Sequence, residues 1–184
     1  MNSWEISKAA SVVSQGGIIA YPTEAVYGLG CSAYCQHAVE KILRLKSRKP
    51  HKGLILVGYD IGQFKNWINV KIVQDSSEIM DSWPGPVTWV IPAKRKVPAW
   101  LTGNHPGIAI RISAHPVVRS LTKQAGILVS TSANPGLRRP ARTSLQVRNY
   151  FGKSIEYIIP GKTDNNINPT EIRDASTGQI LRSS

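Results

Sequence analysis

Residues Gly16 to Gly53 constrain the fold of this chain more than any other stretch. GGIIAYPTEAVYGLG (Gly16 to Gly30) reads as a glycine turn, a short apolar strand from Ile18 to Tyr21, and a loop of small residues broken by Pro22. A helix over about His37 to Lys46, burying Val39, Ile42 and Leu43, is expected next. KSRKPHKG (Lys46 to Gly53) then places Lys46, Arg48, Lys49 and Lys52 within seven residues, with no acid among them. A strand–loop–helix unit ending in a cationic loop is suited to hold a polyphosphate, because backbone donors and side-chain cations converge on one anion.

Beyond this unit, apolar runs alternate with helical spacing. Ile6, Ala10 and Val13 predict a helix that Gly16-Gly17 ends. Strands are expected at Leu54–Gly58, Val87–Ile91, Gly107–Ile112, Ile127–Ser132, Ile155–Ile159 and Gln179–Arg182. Helical material is expected from Asp60 to Trp83, from His115-Pro116, where proline suits a first turn, and from Thr143. This alternation implies an α/β or α+β domain with some parallel pairing. With 184 residues, no repeat and no long linker, the chain has the size of one domain with a full core. Trp83, Trp89 and Trp100 could form a stacking surface, but core is the favoured reading for tryptophans near turns.

Charge narrows the partners. The net charge is +12 and the pI near 10.0. Between Ser82 and Ile155 stand eleven Lys or Arg residues and no Asp or Glu. Such clustering predicts a positive face that attracts nucleotides or nucleic acid, where scattered excess charge would give only a soluble surface. No run approaches the roughly 20 apolar residues of a membrane span. The start, MNSWEISKAASVV, carries Glu5 and only a weak apolar run, unlike a secretory signal. Cys31 and Cys35 lack a second ligand pair for zinc and read as reduced thiols, so a cytoplasmic protein is expected.

The chain has no Gly-x-x-x-x-Gly-Lys-Ser/Thr loop, Gly-x-Gly-x-x-Gly, His-Glu-x-x-His or Gly-x-Ser-x-Gly elbow, and no histidine has an obvious carboxylate partner. What it has are binding groups at loop ends. Lys46-Ser47-Arg48 also fits a solvated helix C-terminus, Ser132-Ala133-Asn134 with Pro135-Gly136 also fits a turn, and Thr143 with Gln146 forms a capping box. Arg111 is harder to place. Among Ile108, Ile110 and Ile112 it needs a partner, either a bound carboxylate or phosphate or an internal acid such as Glu24 or Glu171.

In GGIIAYPTEAVYGLG, KSR with Lys52-Gly53-Leu54, WPGPVT, WLTG, AIRISAHP, STSAN and NPTEIRDASTGQILR the chain resembles the YrdC-like family, most closely its short bacterial members. The segments cover nearly the whole chain in order. The resemblance implies an α/β fold, a single YrdC-like domain over residues 1–184 with a twisted mixed sheet flanked by helices and a positively charged concave cleft. It implies synthesis of L-threonylcarbamoyladenylate from L-threonine, bicarbonate and ATP, with release of pyrophosphate. Mg²⁺ is expected to arrive with ATP, since the sequence has no acidic cluster to hold it alone. Transferase partner proteins then pass the threonylcarbamoyl group to tRNA, forming N6-threonylcarbamoyladenosine beside the anticodon.

For individual residues the resemblance implies ATP contacts from Lys46, Arg48, Lys52, Asn134, Thr143 and Arg182. It implies L-threonine contacts from Arg111, Ser132 and Thr170. Many members have threonine at Ala25, so that hydroxyl contact is either lost or taken over by Thr23. The loop Arg48-Lys49-Pro50 departs from the family's Arg-Pro, and with the sequence stopping at Ser184 no C-terminal lid domain is expected. The chemistry needs positioning and charge neutralisation more than a covalent nucleophile, and no general base is visible. The rival reading is a module without turnover that binds tRNA or double-stranded RNA, or serves ribosome maturation.

Overall fold

The computed structural model describes residues 2–163 and 170–183; Asn168-Pro169, at the head of one resembling segment, lie outside them. Helix α1 (Ser3–Ser14) starts at an Asn2 cap and buries Ile6, Ala9 and Val13. Strand β1 (Ile19–Pro22) turns at residues 23–26 into β2 (Tyr27–Ser32), its antiparallel partner. The loop expected to run to Gly30 is therefore half strand. Glycines hid it: Tyr27, Leu29 and Cys31 join the core, while Gly28 and Gly30 alternate with them and leave room for the Tyr21 ring.

Helix α2 (Gln36–Leu45) follows and then β3 (Ile55–Gly58). The stretch expected to be helical breaks into short pieces, including α3 (Lys71–Gln74) and α4 (Ser77–Ser82). Strand β4 (Thr88–Pro92), the turn of helix α5 (Ala99–Thr102) and β5 (Gly107–Ile112) come next. Helix α6 (Pro116–Ala125), β6 (Leu128–Ser132) and α7 (Ser144–Phe151) match the expected pattern. Two-residue β7 (Tyr157–Ile158) precedes a terminal hairpin of β8 (Ile172–Asp174) and β9 (Ile180–Arg182), of which β8 was not foreseen.

Among the described residues the strands form one mixed sheet in the order β7-β1-β2-β6-β3-β5-β4-β8-β9. The β1–β7, β3–β5 and β4–β8 pairs are parallel and the rest antiparallel. Successive strand residues point to opposite faces, so the two cores can be read from parity. Ala20, Leu29, Leu56, Ile110 and Val129 pack with α2 and α7 on one face. Ile19, Tyr21, Val57 and Leu128 pack with α1 and α6 on the other. Trp89 is core, as expected, and Trp83 and Trp100 pack half-buried against the same cluster.

Candidate active site

The face that α1 and α6 cover only in part carries small residues where the sheet is bare. Gly28 pairs with Ser132, Ser130 with Ile55, Ile55 with Ala109, and Ala109 with Val90. This floor, in which Gly28, Ser130, Ser132 and Ala109 are small, bounds a cavity of about 930 Å³, within the usual size range for a small-molecule site. Arg48, Lys52, Arg111, Arg139, Arg142 and Arg182 line it, and among the described residues no Asp or Glu does.

Arg48 reaches the cavity through the way α2 ends. Ser47 N–H donates to Arg44 O at 3.0 Å and Arg48 N–H to Leu43 O at 2.9 Å, a Schellman cap with Ser47 at φ 49°. Beyond it, Gly53 (φ 62°) and Gly103 (φ 61°) let two loops touch; a Cβ on Gly103 would lie 2.4 Å from His51 O. That contact brings Lys52 alongside Thr102 and His105 at one end of the cavity. Arg48 donates to Gly53 O at 2.9 Å, while its buried Nε has no partner. Burial pushes the Arg48 guanidinium below its ordinary value. Arg182, exposed at the mouth and donating to Thr170 O at 2.6 Å, is also pushed down, first by surrounding protein atoms and then by the charges of Arg111 and Arg48. The charges of Arg111 and Arg48 thus reach Arg182 across the cavity.

Arg111 is not without an internal partner. Its Nη2 lies 3.3 Å from Glu24 Oε2, both side chains buried, while Glu171 pairs with Arg173 instead. Glu24 Oε1 accepts from Ser113 Oγ at 2.6 Å and from His115 N–H at 3.4 Å. Burial alone raises the Glu24 carboxyl, but Arg111, then Ser113, hold it below the ordinary carboxylate range. The pair is a poor hydrogen bond: Arg111 Nε and Glu24 Oε2 remain without hydrogen-bond partners. Glu24 therefore balances the charge of Arg111, which lines the cavity.

Of the sequence-predicted site residues, the cavity gathers Arg48, Lys52, Arg182, Thr23, Arg111, Ser132 and Thr170. Lys46, Asn134 and Thr143 are not on its wall. Lys46 is buried, and its ammonium donates to Ser132 O, Asn134 O and Asn134 Oδ1. Burial, then the charge of Arg48, push Lys46 down to about 8, so at neutral pH it keeps three protons for three acceptors. Thr143 caps α7 by accepting from Gln146 N–H at 3.2 Å, and Gln146 Oε1 accepts from Arg142 N–H at 2.7 Å. Sequence reasoning missed Arg139, Arg142, His105 and Tyr150 on the wall. The acid-free stretch holds all four, but charge bias alone does not single out positions.

Fold and cavity together define a class: a mixed α/β domain with a ligand cavity on one sheet face, lined by cations and small hydroxyl residues. The chain belongs to the Sua5/YciO/YrdC family, whose model, described as telomere recombination, matches residues 11–184. A Hahella chejuensis protein named threonylcarbamoyl-AMP synthase is 49% identical over 183 residues, covering 99% of this chain and 100% of its own. One of the same name from Nitrosococcus oceani is 46% identical across 98% of both chains. The structure of P. abyssi Sua5 complexed with L-threonine superposes with a TM-score of 0.90 at 28% identity, over 99% of this chain and 54% of that one. The present chain thus spans about half of the solved Sua5 chain and nearly the full length of the two named synthases. Among the described residues no helix is long and apolar enough to cross a membrane.

Proposed function

We propose that this cavity joins L-threonine, bicarbonate and ATP into L-threonylcarbamoyladenylate with loss of pyrophosphate, supplying the N6-threonylcarbamoyladenosine modification of tRNA. The relatives make the chain a nucleotidyltransferase-type enzyme. The observation that best supports the particular reaction is the division of the cavity's donors. Arg111, charge-balanced by Glu24 and on the cavity wall, suits one carboxylate. Arg48, Lys52 and Arg182, with no carboxylate on the lining among the described residues, suit a polyphosphate.

In this reading Arg111 holds the threonine carboxylate, and Ser132, Thr23 and Thr170 orient the rest of the amino acid. The threonine amine, once deprotonated, attacks the carbon of bicarbonate-derived carbon dioxide. A carbamate oxygen then attacks the α-phosphorus of ATP, and pyrophosphate leaves. Arg48, Lys52 and Arg182 hold the phosphates and offset the charge that builds on the leaving group. Mg²⁺ enters as part of the ATP complex; among the described residues no cluster of three acids, histidines or cysteines is built to hold it.

The deciding experiment incubates the pure protein with ATP, bicarbonate and L-threonine or another amino acid, and follows pyrophosphate. Release should need threonine and bicarbonate together. Equal release without threonine would sink the synthase reading. A second reading, contact with tRNA or double-stranded RNA, is favoured by one feature: Lys94, Arg95, Lys96, Arg138, Arg139, Arg142 and Arg148 are all exposed within the acid-free stretch. The two are compatible: Arg139 and Arg142 line the cavity as well, while Lys94, Arg95, Lys96, Arg138 and Arg148 do not.

A further inference from the structure

Two serines on β6 face the same cavity, Ser130 and Ser132, and the groups behind them give their hydroxyls opposite polarity. Behind Ser130, the Tyr21 hydroxyl donates to Ser130 Oγ at 2.8 Å, leaving the serine its own proton to give. Behind Ser132 lies a chain of groups with one permissible arrangement. Lys46 Nζ is 2.5 Å from Ser132 O, 2.8 Å from Asn134 O and 3.1 Å from Asn134 Oδ1. Asn134 Nδ2 donates to Gly136 O at 3.0 Å and Arg138 O at 2.9 Å.

An ammonium can only donate and a backbone carbonyl can only accept, so the amide orientation of Asn134 follows from chemistry. Its Oδ1 must be the acceptor, and the Ser132 hydroxyl 2.6 Å away must then donate to it. That commits the one proton of Ser132 to the wall and leaves its lone pairs for the cavity. Thr23 is in the same state, since its hydroxyl donates to Val26 O at 2.7 Å. Lys46 and Asn134 have no donor left over for a phosphate in this arrangement.

We propose that Lys46 and Asn134 are positioning residues that do not touch substrate. They hold the Ser132 proton away from the cavity so that Ser132 Oγ accepts a hydrogen bond from the amine of the bound amino acid. The inference rests on reading the cavity as an amino-acid site. It also moves both residues from the nucleotide to the threonine half of the reaction.

Calorimetry with L-threonine and, separately, ATP tests it in Ser132→Ala, Asn134→Ala, Lys46→Met and the two doubles with Ser132→Ala. A hydrogen bond to a charged group predicts about a 10-fold or greater loss of threonine affinity in Ser132→Ala. Each wall variant should lose threonine affinity while Ser132 is present and little more once it is alanine, with ATP affinity held within about 2-fold throughout. Losses that simply add, or an ATP loss that persists in the doubles, overturn the proposal. Should a wall variant fail to melt cooperatively, 3-hydroxybutyrate, which lacks the amine, replaces it. Ser132→Ala should weaken L-threonine and leave this analogue unchanged, and an equal loss on both ligands overturns the proposal. A wild-type protein that binds no threonine refutes the underlying function instead, and that failure shows before any variant is made.

Discussion

A buried guanidinium beside a buried carboxylate is costly to break from either side. Arg111→Met should therefore lower stability by roughly 3–5 kcal/mol, because Glu24 is left uncompensated. Threonine binding should be lost with it, and melts beside titrations would separate the two effects; a variant as stable as wild type would mean that Glu24 has another counter-charge. The same pair predicts an acid limb. Because the folded Glu24 value lies below its unfolded value of 4.5, its contribution is complete above that pH and disappears as pH falls through the folded value. Glu24→Gln should be less stable at neutral pH and show a flatter loss below about 4.5 in denaturant titrations. Arg48→Ala should weaken ATP by about 10- to 150-fold, the range for a charge-assisted bond of roughly 1.5–3 kcal/mol. Unchanged calorimetric affinity in a folded variant would return Arg48 to the role of a helix-end cation.

At the scale of elements, the end of α2 holds strain at the site. Ser47 takes a left-handed φ of 49°, which costs a non-glycine residue roughly 1–2 kcal/mol, against about 0.5–1 for the extra freedom of glycine in the unfolded chain. Ser47→Gly should then gain about 0.5–1 kcal/mol in thermal melts; a loss would show that the serine side chain holds this turn. Elements with unbroken apolar periodicity were legible in the sequence: β5 falls on the expected residues, α2 within one residue, α1 ends before Gly16-Gly17 and α6 opens at Pro116 as expected. β2 was not, because glycine at alternate positions erases the period-two pattern, nor was β8, whose three residues include Arg173 and Asp174. The cavity wall was legible where an unusual residue interrupts an apolar strand, as with Arg111. It was illegible where the chemistry depends on which oxygen a side chain meets: Lys46 and Arg48 look alike in KSR, yet one faces the wall's interior and the other the cavity.

Across the whole molecule, the cavity draws on strands from β2 to β9, far apart in sequence and adjacent in the sheet. The acid-free stretch adds a separate property. If duplex RNA binds there as the second reading proposes, its affinity should fall steeply between about 50 and 200 mM salt, since each phosphate contact releases counterions. It should survive Arg111→Met in a folded sample, and RNA affinity insensitive to salt would remove the electrostatic reading of that surface. The order β4-β8-β9 also sets a timetable. A chain leaves the ribosome N-terminus first, so the hairpin and helices of the first hundred residues can begin to associate while β8 and β9 are still being made. Thr170 and Arg182, which complete the cavity wall, emerge after nearly everything they face. If ATP and threonine bind as proposed, a nascent chain stalled before β8 should hold both more weakly than the finished protein does.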